Sequence, residues 1–202
     1  MVVHSFPTRR SSDLRKKGVT VLTRRQWGSK RGYVYAKRRT YTRAGRWGRF
    51  VSRADTVVQH ITVTRPSGDF RADCRTVERI GYERFKSGVS YNFLVDMTTG
   101  HVAVGQPLDS KGTHTINDKN VPGFSKDQNL AARAIAVVGM PETRLSDKAK
   151  KSIELLLEAM VEEGAITPTF DYKPHSFFAW KDCPCDATRD AMPSIRRGVR
   201  AG

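Results

Sequence analysis

Apolar residues along the chain follow two periods, and the switches between them predict the elements. Thr56–Val63 (Thr-Val-Val-Gln-His-Ile-Thr-Val) is β-branched and mostly apolar, and predicts a buried strand. Pro66-Ser67-Gly68 breaks it. Asp73–Phe85 reads as a helix with Cys74, Val77, Ile80 and Gly81 roughly along one side, ended by Lys86-Ser87-Gly88. Ser90–Asp96 and His101–Val104 predict a hairpin around Met97-Thr98-Thr99-Gly100. Asp109–Asn129 is polar and too irregular for an element, the kind of long loop that often carries function. Ala134–Val138 predicts a second buried strand. Beyond it, Ile153, Leu156, Leu157, Met160 and Val161 form one apolar face of a helix, with Ser146 as N-cap and Gly164 past its end. Thr167–Cys185 reads as a loop and Met192–Arg197 as a short closing helix. Strands alternating with helices, joined partly by a hairpin, predict a single α/β domain with a central mixed β-sheet flanked by α-helices.

Composition sharpens this picture at the N-terminus. The chain has 202 residues, 38% of them apolar, enough for one domain of ordinary size. No run approaches the ~18–20 consecutive apolar residues of a spanning helix, so no membrane span is expected. The net charge of +16 is unevenly placed: residues 1–53 hold sixteen Lys/Arg and one acid, Asp13, whereas residues 54–202 hold twenty Lys/Arg and nineteen acids. A nearly neutral body therefore follows a basic segment, residues 15–53, of the sort that meets polyanions: nucleic acid, anionic lipid or anionic wall polymer. A solvated arm is the bland alternative. Its aromatics, Trp27, Tyr33, Tyr35, Tyr41, Trp47 and Phe50, lack a regular period, which favours loops or short strands packing on the domain over a stacking surface for nucleic acid. Residues 1–14 stand apart: His4 to Leu14 reads like the translation of a short-read sequencing adapter, so the segment is expected to be an artefact and to say nothing about export.

Three residues stand out as metal donors. His60 lies within an apolar strand, where a neutral imidazole must either find a hydrogen-bond partner or bind a metal. His175 and Cys183 are eight apart in a segment closed by Pro184, and imidazole and thiolate are the usual zinc donors. Spacing alone leaves both readings open. Three cysteines in all exclude a disulfide-stapled scaffold, and Cys183-Pro184-Cys185 is poorly spaced for a redox pair. Cys74, on a helix face, reads as a small buried hydrophobe.

Five stretches, in order, resemble the zinc-dependent N-acetylmuramoyl-L-alanine amidases, the group that includes phage endolysin amidases and peptidoglycan recognition proteins. Arg24-Arg25-Gln26-Trp27-Gly28 is similar to the family's Arg-x-x-Trp-Gly, and Val57–Thr64 to its first strand, whose histidine binds zinc. Ser90–Asp96 is similar to its Gly-Tyr-Asn-Phe-Leu-Val-Asp strand, Gly112-Thr113-His114-Thr115 to its Gly-Ala-His-Thr loop, and His175 through Pro184 to its His…Cys-Pro-Gly segment. The resemblance runs from about residue 22 to 197, within a catalytic domain expected over 54–202.

The resemblance implies one Zn²⁺ per chain held by His60, His175 and Cys183, with Tyr91 and Lys181 as catalytic groups and His114 lining the substrate groove. The reaction it implies is hydrolysis, by zinc-activated water, of the amide joining N-acetylmuramic acid to L-alanine in bacterial peptidoglycan. Lys181 stands where the animal recognition proteins usually carry threonine, which tilts the reading toward a phage or bacterial endolysin, made in the host cytoplasm and released at lysis. Cys185 replaces the family's glycine: a positive φ there would cost about 1–2 kcal/mol, and a second thiol beside Cys183 is a competing donor. Two other function classes remain in view, a non-catalytic peptidoglycan-binding module and a nucleic-acid-binding protein acting through the basic segment. Anionic wall polymers are expected partners of that segment, and nucleic acid is not.

Overall fold

A computed structural model of the chain describes residues 8–30, 53–85, 88–108 and 111–199. Most of the basic segment, including Tyr33, Tyr35, Tyr41, Trp47 and Phe50, lies outside the described residues. In chain order the elements are α1 (Thr8–Lys16), β1 (Val21–Leu22), α2 (Arg24–Trp27), β2 (Ala54–Ile61), α3 (Phe70–Phe85), β3 (Phe93–Asp96), β4 (Val102–Val104), α4 (Gln128–Ala131), β5 (Arg133–Val138), α5 (Asp147–Glu162), β6 (Ile166–Pro174), α6 (His175–Phe178) and α7 (Asp186–Gly198).

One six-stranded mixed sheet runs through the molecule in the order β1-β4-β3-β5-β2-β6. The β3–β4 pair is antiparallel, as a hairpin requires, and the remaining pairs are parallel. Successive side chains point to opposite faces, so each strand feeds two cores. Val57, Ile61, Phe93, Val95, Ile135 and Val137 pack with Ile153, Leu156, Leu157 and Met160 of α5 and Ile195 of α7. Leu94, Ala103, Ala136 and Val138 pack instead with Phe70, Cys74 and Val77 of α3 and with Trp27. In the register β2–β5–β3, His60 lies beside Ala136 and Leu94, which places it on the α3 side of the sheet.

The helix α5 forms as its pattern predicts. The Ser146 hydroxyl accepts from the Ala149 N–H at 3.1 Å, and Gly164 takes φ +70 just past the end, a conformation glycine adopts without steric cost. Two expectations need correction. Thr167–Cys185, read as a loop, contains most of β6 and all of α6; Pro168, Pro174 and the polar residues of β6 fit an edge strand, where a missing N–H costs nothing. The closing helix α7 starts at Asp186 rather than Met192 and tolerates Pro193 in its interior. Residues 8–16 form α1, whose Leu14 is buried in the main core while Lys17 just beyond it pairs with Glu158 of α5 at 3.6 Å.

The Arg24–Gly28 stretch is a clamp. The Trp27 indole is fully buried and donates to the Val104 carbonyl at 2.9 Å. Arg24 pairs with the buried Glu78 of α3 at 3.1 Å, and Glu78 also accepts from the Ser29 hydroxyl and the Lys30 N–H. This motif thus ties the N-terminal segment to α3 and β4.

Candidate metal centre

His175 and Cys183 come to His60 through register and a closed loop. The parallel pairing of β2 with β6 sets Gln59 opposite Pro174, so the residues that follow, His60 on β2 and His175 at the start of α6, are neighbours. Their rings stand 4.4 Å apart between centroids. The Ser176 N–H then donates to the Cys183 carbonyl at 2.6 Å, folding residues 176–183 back so that Cys183 returns to β2. Its Sγ lies 3.8 Å from His60 Nδ1, and the candidate donor atoms of all three residues fall within 4.8 Å of one another. Two donors on a tetrahedral zinc stand about 3.6 Å apart by bond lengths and angle. The set fits zinc in number, type and spacing.

The electrostatics favour the donor forms of the histidines. Burial holds the His60 imidazole well below its usual range, and His175, His114 and Lys181 push the same way. Burial, then the Lys181 charge, takes His175 down to about 4, with Asp118 opposing. Both rings are therefore neutral and offer a lone pair. Burial pushes the Cys183 thiol up to about 11, against the opposing pull of Lys181, so metal binding there has to displace a proton.

A second layer orients His60. The Thr115 hydroxyl donates to the His114 carbonyl at 2.8 Å, leaving its oxygen to accept from His60 Nε2, 3.4 Å away. That contact assigns the ring proton to Nε2 and turns the Nδ1 lone pair toward Cys183. Asn129, from α4, holds the loop: its Oδ1 accepts from the N–H groups of His114 at 2.5 Å and Thr115 at 2.8 Å. Asp127 caps α4 through the Asn129 N–H and is paired, fully buried, with Lys111 at 2.5 Å. Gly112 is required by close approach, since a Cβ there would meet His114 Cδ2 at 2.5 Å. Thr115 and Asn129 were not singled out by sequence; Thr115 sits in the quoted Gly-Thr-His-Thr stretch, whereas Asn129 carries no local signal.

The remaining expected residues gather at the same place. The Tyr91 ring stands 5.0 Å from His60, and burial followed by the nearby Cys183 raises its hydroxyl pKa, so it stays protonated. His114 meets His60 edge-on at 5.3 Å; burial first, then His175 and Arg133, takes it down to about 3, and its buried Nδ1 has no hydrogen-bond partner. Lys181 is exposed, and its charge reaches His60, His175 and Cys183. Cys185 departs from expectation. Its φ is −61, so no left-handed strain arises, and its buried Sγ sits 3.5 Å from the Thr188 hydroxyl as α7 begins. Among the described residues the donor group comprises His60, His175 and Cys183, without Cys185.

Comparison with solved structures finds the same fold in known proteins. The bumblebee peptidoglycan recognition protein SA superposes with a TM-score of 0.65 at 16% identity, covering 84% of this chain and 90% of that one. A human peptidoglycan recognition protein, IBETAC, solved with glycosamyl muramyl pentapeptide, gives 0.62 at 21% identity over 83% and 90%. The endolysin N-acetylmuramoyl-L-alanine amidase LysCS from Clostridium intestinale gives 0.55 at 22% identity over 70% and 83%. These likenesses share the fold. No curated protein matches the sequence. Residues 51–186, well over half of the chain, match the Amidase_2 family model, and the chain therefore belongs to the N-acetylmuramoyl-L-alanine amidase family.

Proposed function

We propose that the protein is a zinc-dependent hydrolase that cleaves the amide between N-acetylmuramic acid and L-alanine in bacterial peptidoglycan, as an endolysin of phage or bacterial origin. The observation that carries the reading is the convergence of His60, His175 and Cys183, with donor atoms within 4.8 Å, on the face that also presents Tyr91 and Lys181. The family match and the muramyl pentapeptide bound by the human relative point to the same substrate class.

His60, His175 and Cys183 would hold the metal. Zinc, when bound, supplies a Lewis acid that makes water nucleophilic near neutral pH and polarises the scissile carbonyl. The Lys181 ammonium would stabilise the negative charge that grows on the carbonyl oxygen. The protonated Tyr91 hydroxyl would orient the attacking water and pass a proton toward the leaving alanine nitrogen. His114, with its unpaired Nδ1 close to His60, would contact the substrate along the groove. Thr115 and Asn129 keep His60 in the tautomer that donates through Nδ1.

The test pairs metal analysis with digestion of purified sacculi. The expected result is about one zinc per chain, release of L-alanine N-termini from the sacculi, and loss of both in Cys183→Ser. Purified wild type that takes up no zinc on reconstitution overturns the proposal; zinc uptake with binding of sacculi and no new N-termini identifies a non-catalytic binding module.

A further inference from the structure

Three residues before Cys183 the chain leaves a tryptophan in water. Trp180 is 80% exposed, the most exposed of the large hydrophobic side chains among the described residues, which otherwise include Val63 and Phe85. It lies one residue before Lys181 and three before Cys183. An amphipathic ring of this size usually buries itself, so one left out beside a reaction centre is a contact surface in waiting.

The ring is held in place. The Lys119 ammonium sits 4.8 Å from the ring centroid, and the same ammonium donates to the Ser176 carbonyl at 2.6 Å. The Lys119 N–H donates to the carbonyl of Phe178, whose side chain is fully buried against Val58 and Ala132. The Ser176 N–H is bonded in turn to the Cys183 carbonyl. Lys119 and the loop bearing Trp180 are thus fastened to the segment that carries His175 and Cys183.

We infer that Trp180 is a stacking platform for an N-acetylhexosamine ring of the glycan strand, next to the bond to be cut. The inference rests on the amidase reading above. The scissile amide hangs from the lactyl group on the sugar itself, so that sugar or its neighbour must lie within a few bonds of His60, His175 and Cys183. The axial C–H bonds of a β-linked pyranose make an apolar face about the size of an indole, and such a face packs on an aromatic ring with little loss of side-chain freedom when the ring is already held. Lys119 on the ring supplies that restraint.

Binding and cleavage are tested separately. The binding probe is a tetrasaccharide of N-acetylglucosamine, which presents the ring face but has no carboxylate to reach a metal or a lysine. Titrated into the zinc-loaded full chain, it should produce a saturable change in tryptophan emission. That change should vanish in Trp180→Ala and persist, as binding measured by calorimetry, in Trp180→Phe. For cleavage, Trp180→Ala should lower kcat/KM about 10-fold on a disaccharide-peptide, the scale of one aromatic contact, through KM. On an N-lactyl-peptide that lacks the sugar it should leave kcat/KM unchanged. Zinc content and thermal midpoint should match the wild type, since the side chain is exposed. Equal tetrasaccharide affinity in wild type and Trp180→Ala, or equal loss on both cleavage substrates, overturns the inference. Tetrasaccharide binding that depends on Trp180 supports it even if no amide is cleaved, which would sink the amidase reading alone.

Discussion

A lysine at the surface and a half-buried tyrosine have no meaning by themselves; beside three candidate metal donors they acquire one. Changing Lys181 to Ala or Tyr91 to Phe should leave zinc content and fold intact and lower kcat by ~10²–10³-fold, the scale for one group that stabilises transition-state charge. Turnover on a soluble muropeptide measures it, and an unchanged kcat in Lys181→Ala removes that side chain from the chemistry. Thr115 acts one step further out. Thr115→Val keeps the shape and deletes the oxygen that accepts from His60 Nε2. Zinc affinity, read by competition with a chelator, should fall about 10-fold, the low end for an outer-shell partner because the contact is long. Equal affinity would mean that packing alone orients His60. The sequence made the donors legible as residue types, with His60 anomalous in its strand and His175 paired with Cys183, but not as a site. Their meeting depends on the parallel register of β2 with β6, across more than a hundred residues. Thr115 and Asn129 were invisible because a polar side chain in a loop looks the same whether it faces water or a buried backbone amide.

At the scale of elements, the parts with one dominant signal were readable. The apolar face of α5, the β-branched core of β2 and the β3–β4 hairpin stand close to where their patterns put them. The misreadings share a cause: at β6 and α7 prolines mimic loop chemistry, and tertiary pairing overrides local propensity. The Arg24 clamp is an element-level device with a measurable weight. Glu78 is buried and receives Arg24, the Ser29 hydroxyl and the Lys30 N–H, so Arg24→Ala leaves a buried carboxylate without its counter-charge. Breaking such a pair from one side costs about 3 kcal/mol, somewhat relieved here by the two remaining donors. Denaturant unfolding should show that loss, with activity per folded molecule preserved, since the clamp lies on α3 and β4 rather than on the donor residues. A loss below about 1 kcal/mol would make the ion pair incidental to the docking of Trp27.

Over the whole molecule the charge is unevenly placed along the chain. The body from residue 54 carries twenty Lys/Arg and nineteen acids, while residues 1–53 carry sixteen Lys/Arg and Asp13. A stretch of chain that is almost neutral has little long-range pull on a polyanion, so any such pull comes from the basic segment. Sacculi bearing anionic polymers are the polyanion that the proposed reaction would meet, and the segment would concentrate the enzyme on them. Charges of this kind are screened over about 8–10 Å at physiological salt. Binding to sacculi, and the apparent KM on them, should therefore weaken steeply from low to high salt, while turnover of a small soluble muropeptide should change little because its chemistry is local. Nucleic acid would be attracted by the same charges, so removing those charges should weaken its binding as well. The deciding variant changes Arg38, Arg39, Arg43, Arg46 and Arg49 to Gln and leaves Trp27 and β2 untouched. It should lose most of its low-salt affinity for sacculi and keep its muropeptide turnover. If it binds sacculi as tightly as the wild type at low salt, electrostatic targeting is wrong, and these arginines have no part in the attraction to the wall.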